Sequence, residues 1–200
     1  MSFRDFVARI KLRHVQTKLP AVFFSFPADL KKTKHILVCL PGGLRELTVV
    51  KQFLPKISEL FRPADITLLS MPGVKVKDIF PRKGFQILSP SPEQLTWSGL
   101  PKKSYLQMLQ DHKFDALLDL GLEPSVFTSC ILLNFPNVVR IGRGNHLGRP
   151  YYNLEIKTKY LRDERHIYRS LLETLDTLRN SVPDEVSPPN RSQSPEEQCI

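Results

Sequence analysis

Short runs of apolar residues alternate along this sequence with longer segments of helical periodicity. The clearest runs cover residues 36–40, 65–71 and 114–120. A largely continuous apolar run of this length is typical of a strand that is buried on both faces of a parallel sheet. Because strands that alternate with helices form βαβ units, the sequence predicts an α/β fold. We expect a single Rossmann-like domain with a mostly parallel sheet flanked by helices.

Weaker signals complete the predicted order of elements. Short strands are expected at 85–88, 137–141 and 154–156, with an edge strand at 21–26. Helices are expected at 47–61, 103–112, 124–135 and 163–179, and residues 89–101 are expected to form a loop. Pro55 lies in the middle of the first of these helices. It should kink or split that helix, because proline lacks the N–H that the helix interior needs.

The chain divides into three predicted parts. Residues 1–34 form a basic amphipathic helix with a lead-in segment, residues 35–180 form the Rossmann-like domain, and residues 181–200 form a disordered tail. The tail holds four prolines among Ser, Glu and Gln. Such a composition cannot bury enough apolar surface to fold.

The net charge of +9 is spread unevenly. Residues 1–35 carry eight Lys or Arg against two Asp, a balance of +6, whereas residues 181–200 carry one Arg against four acids, a balance of −3. A basic excess suits nucleic acid, an anionic membrane surface or a phosphorylated ligand, and it also promotes solubility. Because the aromatic and basic interleaving of RNA-binding modules is absent, no nucleic-acid partner is expected.

Apolar residues recur at helical spacing near the start of the chain, at Phe3, Phe6, Val7 and Ile10. The predicted helix 3–15 is either a terminal helix docked on the domain or a peripheral helix on an anionic bilayer. No apolar run reaches the roughly 18 residues that span a bilayer, and the first residues lack the apolar core of a secretory signal. We therefore expect a cytoplasmic protein, with peripheral contact at the inner membrane through residues 3–15 as the alternative.

The metal-binding residue types are scattered. Cys39, Cys130 and Cys199 form no C-x-x-C pair, which argues against a zinc site or a redox motif, and the first two are expected to be free and buried. No histidine stands at metal-ligand spacing from another His or Cys. The sequence therefore predicts no metal site and no cofactor.

Ligands of parallel α/β sheets bind beyond the carboxyl ends of the strands, which directs attention to loops 41–46, 121–124 and 142–150. In the first loop, Gly42 and Gly43 permit close backbone approach, and the following helix N-terminus favours an anion. The loop is neither a G-x-G-x-x-G fingerprint nor a Walker A loop. Glu46 could act as a general base or could simply stabilise the start of the helix.

The third loop is rich in glycine and arginine. Arg140, Arg143 and Arg149 could grip phosphate or carboxylate through forked hydrogen bonds, or could belong to a solvated basic loop. His146 is the one histidine that falls in a predicted ligand loop. Together with Arg45 and the two glycines of the first loop, these arginines are the predicted substrate-binding residues.

Residues 36–69 resemble the N-terminal opening of glycosyltransferase family 9, the lipopolysaccharide heptosyltransferase type. That family opens with an apolar strand, a Gly-Leu-Gly-Asp turn, a helix ending in Phe and a D/E-I-T-L-L strand. The matching residues here are Gly43-Leu44-Arg45-Glu46, a helix to Phe61, and Asp65-Ile66-Thr67-Leu68-Leu69. Residues 113–120, 139–143 and 151–154 resemble the family's F-D-x-x-I-D-L, R-R-I-G-F and Y-N segments.

The resemblance covers residues 36–160 and implies the acceptor-binding half of a GT-B enzyme of cell-envelope polysaccharide assembly. It implies a sugar or phosphorylated-glycolipid acceptor, whose hydroxyl Glu46 would deprotonate. The chain departs from the family pattern at three places. Arg45 replaces the second glycine, Glu46 replaces Asp, and Val50-Lys51-Gln52 stands where Thr-Thr-Pro is usual.

In GT-B enzymes the sugar-nucleotide donor binds in a second Rossmann-like half. After residue 160 we expect only a helix and a tail, so a donor-binding partner protein is expected to complete the active cleft. A non-catalytic module that binds sugar or phosphate, or acts as a scaffold, is the alternative. An unrelated basic α/β protein that matches through common βαβ patterning is the third hypothesis.

Overall fold

The computed structural model describes residues 3–17, 20, 22–76, 78–80, 84–144, 147 and 149–181. The elements in chain order are α1 (Phe3–Gln16), α2 (Ala28–Lys31), β1 (His35–Cys39), α3 (Leu44–Leu60), β2 (Asp65–Leu69), β3 (Gln86–Leu88), a 3₁₀ turn (Pro92–Gln94), α4 (Lys103–Asp111), β4 (Ala116–Asp119), α5 (Val126–Asn134), β5 (Val139–Arg143), β6 (Leu154–Ile156) and α6 (Glu164–Asn180). Residues 182–200 of the predicted tail lie outside the described residues.

The six strands form one sheet in the order β3-β2-β1-β4-β5-β6, and every pair in it is parallel. This confirms the predicted Rossmann-like α/β fold. The apolar runs behave as expected, because all four residues of β4 and four of the five in β1 and β2 are buried.

Helices cover both faces of the sheet. On one face, Leu47 and Ile57 of α3 and Leu171 of α6 pack against Val38 and Leu118 of the central strands. On the other face, α4 and α5 pack against the alternate residues of the same strands. The layers bring the first turns of α3 and α6 together at the carboxyl edge of the sheet, where the predicted ligand loops lie.

Helix α3 runs unbroken through Pro55, so the predicted split of this helix is wrong. Pro55 lies on the exposed side of the helix. The carbonyl that loses its partner, that of Lys51, is also on an exposed residue and can bind water instead.

The predicted edge strand at 21–26 is also wrong where the segment is described. Residues 22–25 have no regular structure, and Asp29 closes a turn by accepting a hydrogen bond from the Ser25 N–H at 2.6 Å. Phe24 and Phe26 pack against the core from outside the sheet. The short helix α2 follows, which the sequence pattern did not predict.

Helix α1 docks on the domain, as one of the two alternatives proposed. It packs on α5 through Ala8 and Leu12, which contact the region of Cys130 and Leu133. The face that the sequence pattern emphasised does not make this contact, since Phe3, Phe6 and Ile10 are exposed. No helix in the described part of the chain is both long enough and apolar enough to cross a membrane.

Candidate functional site

The strand order creates a topological switch point between β1 and β4. From β1 the sheet extends to β2 and β3, and from β4 it extends in the opposite direction to β5 and β6. Ligands of open α/β sheets bind in the crevice beyond the carboxyl ends of the strands at such a point. The turn 41–46 follows β1 and residues 120–125 follow β4, so these two segments flank the crevice.

Glu46 lies in the first turn of α3, close to the end of β1. Gly43 is the N-cap of this helix, and its backbone N–H donates a hydrogen bond to the Glu46 carboxylate. The carboxyl group is half-buried, and burial raises its pKa above the ordinary value, with smaller contributions from the charges of Glu164 and Glu123. Glu46 therefore combines the contact of a helix-capping acid with the raised pKa of a general base.

Arg45 forms an ion pair with Glu164, the first residue of α6, with 3.3 Å between Arg45 Nε and Glu164 Oε1. The Arg45 side chain is 83% exposed, whereas that of Glu164 is 18% exposed. The guanidinium therefore keeps donors that face solvent and can bind an anionic group. Gly42 and Gly43 beside it are exposed backbone.

Tyr168 of α6 is the buried group around which the charges of the site are arranged. Its hydroxyl donates a hydrogen bond to the Leu120 carbonyl at 2.9 Å, which fixes α6 against the end of β4. Burial raises the Tyr168 pKa, followed by the charges of Glu46 and Glu164, whereas the charge of Arg143 lowers it. The charges of Glu46, Glu164 and Arg143 therefore all act on the Tyr168 hydroxyl at the carboxyl edge.

An open cavity of about 500 Å³ lies between the starts of α3 and α6. Its lining includes three arginines, Arg45, Arg162 and Arg165, together with Asp163 and Glu164. Three guanidinium groups beside two carboxylates favour a ligand that carries both anionic groups and hydroxyls.

A second cluster at the carboxyl edge is closed and buried. Asp119, the last residue of β4, accepts hydrogen bonds from the Tyr152 hydroxyl at 2.6 Å and from the Gly121 N–H at 2.9 Å. The Tyr152 ring lies against Gly142, where an added Cβ would come within 2.2 Å of the ring. Cys39 is paired in register with Asp119, and burial followed by the charge of Asp119 raises the pKa of its thiol.

Two further residues of the sequence resemblance also connect strands. The Asp115 carboxylate accepts hydrogen bonds from the backbone N–H groups of Lys34 and His35 at 2.8 and 2.9 Å, which ties the start of β1 to β4. The Asn153 amide accepts from the Arg140 N–H and donates to the Val138 carbonyl. These side chains hold neighbouring parts of the sheet together.

The structure places Arg140 away from the other predicted site residues. Arg140 pairs with Leu117 in the middle of the sheet, is 7% exposed, and donates from Nη1 to the Leu132 carbonyl at 3.2 Å. Burial lowers its pKa. It supports the carboxyl end of α5 and does not face the crevice.

The structure brings Gly42, Gly43, Arg45, Glu46 and Arg143 to the same edge of the sheet. Arg149 lies in the following loop and is exposed. The predicted ligand-loop residue His146 lies outside the described residues. Among the described residues, no group of His, Cys, Asp and Glu side chains could hold a metal ion. Cys39 and Cys130 are free and buried, as predicted.

Sequence reasoning missed Glu164, Tyr168 and Glu123 at this edge. The signal for the first was present, because Asp163 and Glu164 are the acids expected at a helix start, and the Asp163 carboxylate does accept the His166 N–H at 3.1 Å. What the sequence could not show is that α6 returns to lie beside α3, so that the two helix starts face each other.

The parallel sheet, its strand order and the helices on both faces define a Rossmann-type α/β domain similar to a glycosyltransferase domain. The model of a family of unknown function, DUF6913, matches residues 45–178, and the chain belongs to that family. No curated protein matches the sequence.

The structure of the E. coli heptosyltransferase WaaC with ADP is similar to this chain, with a TM-score of 0.52 and 13% sequence identity. The match covers 70% of this chain and 46% of the heptosyltransferase chain, so this chain spans less than half of that protein. The likeness confirms a glycosyltransferase-like fold. Membership of family 9 and a role in envelope assembly stay predictions.

Proposed function

We propose that this chain binds a sugar or phosphorylated-glycolipid acceptor at the turn 41–46, as the acceptor half of a family 9-like glycosyltransferase of envelope polysaccharide assembly. The observation that carries the proposal is the position of Glu46. The acid that the sequence resemblance identifies stands at the topological switch point, half-buried, with a raised pKa.

In this proposal the residues at the edge have separate roles. The Glu46 carboxylate accepts the proton of the acceptor hydroxyl as the hydroxyl oxygen attacks the donor sugar and the nucleotide leaves. Arg45 and Arg143 bind the phosphate of the acceptor. In this proposal a partner protein supplies the donor-binding half.

A nucleotide is a poorer fit to this crevice, although the strand order is the one that dinucleotide-binding domains use. Those domains place a third glycine in the turn after β1 and an acid at the end of β2, where it binds the ribose. Here the turn has Arg45 and Glu46 after its two glycines, and Ser70 and Met71 follow β2. The crevice therefore lacks both groups that recognise a dinucleotide.

Acceptor binding is tested by calorimetric titration of the chain with hexose phosphates, the corresponding free hexoses and ADP. We expect hexose phosphates to bind, Arg45→Ala to weaken binding by about tenfold, and ADP not to bind. Arg62→Ala is the matched control, because Arg62 is an exposed arginine just before β2, at the opposite edge of the sheet. Preferential binding of ADP, or equal loss in both variants, would contradict an acceptor site at this turn.

The proposed catalytic role of Glu46 is tested with Glu46→Gln in a transfer assay reconstituted with the donor-binding partner. Removal of a general base should lower transfer by about 10²- to 10⁴-fold while hexose phosphate binding is retained. Unchanged turnover would exclude Glu46 as the base.

A non-catalytic binding module is the second candidate, and the hydrogen bond from the Gly43 N–H to the Glu46 carboxylate favours it. That contact is the one a helix-capping acid makes. Under this candidate Glu46→Gln leaves ligand binding unchanged, and no partner restores transfer to the unaltered chain.

A further inference from the structure

Helix α1 has two apolar faces, and the domain covers one of them. Ala8 and Leu12 are 0% and 4% exposed and pack on α5. Phe3, Phe6 and Ile10, at spacings of three and four residues, lie on the opposite side and are 73%, 53% and 52% exposed. The largest apolar side chains of this helix therefore lie on the side that does not pack on α5.

Trp97 extends this exposed face beyond the helix. Its ring stacks on Phe3 with 6.3 Å between ring centroids, and the residue is 57% exposed. We call Phe3, Phe6, Ile10 and Trp97 the outer stripe. Exposed apolar residues scattered singly are ordinary, but four large ones in a row on one surface mark an interaction site.

The charges around the outer stripe indicate what covers it. Helix α1 carries four basic residues, Arg4, Arg9, Lys11 and Arg13, against Asp5, a formal charge of +3. The four basic residues are all exposed. Such a helix is suited to an anionic bilayer, where basic groups bind lipid headgroups and aromatic rings enter the boundary with the acyl chains. A second copy of this chain, with its net charge of +9, would bring repulsive charge to the same surface.

We propose that the outer stripe is a peripheral membrane-docking surface for anionic lipid. Helix α1 lies in the plane of the interface, held to the domain by Ala8 and Leu12, while the outer stripe enters the headgroup region. Docking needs no catalysis and no acceptor, so this proposal is tested independently of the proposed function of the carboxyl edge.

The chain itself provides the probe, because Trp97 is its single tryptophan and belongs to the outer stripe. The full chain is mixed with vesicles of phosphatidylglycerol and phosphatidylcholine, or of phosphatidylcholine alone. With the anionic vesicles we expect Trp97 emission to shift to shorter wavelength and to be quenched by brominated lipid. We expect no shift with phosphatidylcholine, and reversal of the shift as salt rises from about 0.05 to 0.5 M. No shift with anionic vesicles, or the same shift with both kinds, overturns the proposal.

Co-sedimentation of variants with the same vesicles separates the outer stripe from general surface effects. The double variant Phe3→Ser, Phe6→Ser should bind anionic vesicles about tenfold less tightly, because it removes two aromatic rings from the interface. Leu161→Ser is the matched control, since Leu161 is 71% exposed and lies in the loop before α6, outside the outer stripe. It should bind like the unaltered chain.

Circular dichroism checks that both variants are folded, which their exposed positions favour. Phe6→Ser alone gives a second test if the double variant is unfolded, with a smaller loss in the same direction. Equal binding by the stripe variants and the control overturns the proposal. So does analytical ultracentrifugation in which the unaltered chain self-associates and the stripe variants do not, because the outer stripe then serves a second copy.

Discussion

The turn after β1 and the cluster at the ends of β4 and β5 lie at the same edge of the sheet but are built differently. The turn has exposed glycines, an exposed Arg45 and a half-buried Glu46. The cluster has a buried Asp119 bonded to Tyr152, whose ring occupies the space that Gly142 leaves. Both regions contain residues of the sequence resemblance to family 9 glycosyltransferases. In the second region, however, hydrogen bonding and packing within the domain explain why these residues are needed. Only the first remains open for a ligand.

The largest expected effect contrasts a glycine from each region. Gly142→Ala places a Cβ 2.2 Å from the Tyr152 ring and should destabilise the chain by about 3 kcal/mol, because neither the strand nor the buried ring can move easily. Gly42→Ala meets only the Met71 side chain at 3.7 Å and should change stability by less than about 0.5 kcal/mol. Urea denaturation measures both, and equal losses would abolish the distinction between the regions.

Tyr152→Phe tests the hydrogen bond inside the closed cluster. The variant keeps the ring over Gly142 but removes the hydroxyl that donates to Asp119, leaving a buried carboxylate with one donor fewer. We expect a loss of about 2 kcal/mol in the free energy of unfolding. Hexose phosphate binding by the folded variant should be unchanged. A variant that is fully stable but fails to bind would instead make Tyr152 part of the ligand site.

The dependence of stability on pH in the alkaline range should come from buried thiol and phenol groups. Burial raises the pKa of Cys130 to about 11 and that of Tyr105 to about 12, and it raises the pKa of Tyr152 and Cys39 as well. The folded chain therefore keeps protons that the unfolded chain releases, so this contribution is complete below about pH 8 and falls as pH rises further. Thermal unfolding from pH 8 to 11 measures the slope, which Tyr152→Phe should reduce above pH 10. A flat profile would show that these groups are accessible to water.

The smallest expected effect on stability belongs to Glu46. Because burial raises its pKa, the contribution of this group to stability is present below its unfolded value and is lost as pH rises through the raised value. Glu46→Gln, which can still accept from Gly43, should therefore be neutral or slightly stabilising at pH 7, within about 0.5 kcal/mol. A loss of about 1 kcal/mol would identify Glu46 as a helix-capping acid and favour the non-catalytic candidate.

The strands and most helices follow from local patterns, because burial on both faces leaves a visible apolar run at residues 36–40 and 114–120. Which elements pack against each other in the folded chain does not follow from such patterns. The apolar spacing of Phe3, Phe6 and Ile10 predicted α1 correctly, but the smaller Ala8 and Leu12 make the contact with α5. In the same way Glu46 could be singled out from its turn, whereas Glu164 and Tyr168 reach it only because α6 folds back across the sheet.

The proposed acceptor site is tested most directly by mapping where a hexose phosphate binds on the isotopically labelled chain, through changes in amide chemical shifts. We expect shifts confined to residues 41–46, 120–125 and 143–144, at the carboxyl edge of the sheet, and titration of these shifts at about tenfold higher ligand concentration in Arg45→Ala. Shifts at the opposite edge, around Gln110, Asn134 and Asn137, or shifts that persist unchanged in Arg45→Ala, would contradict it.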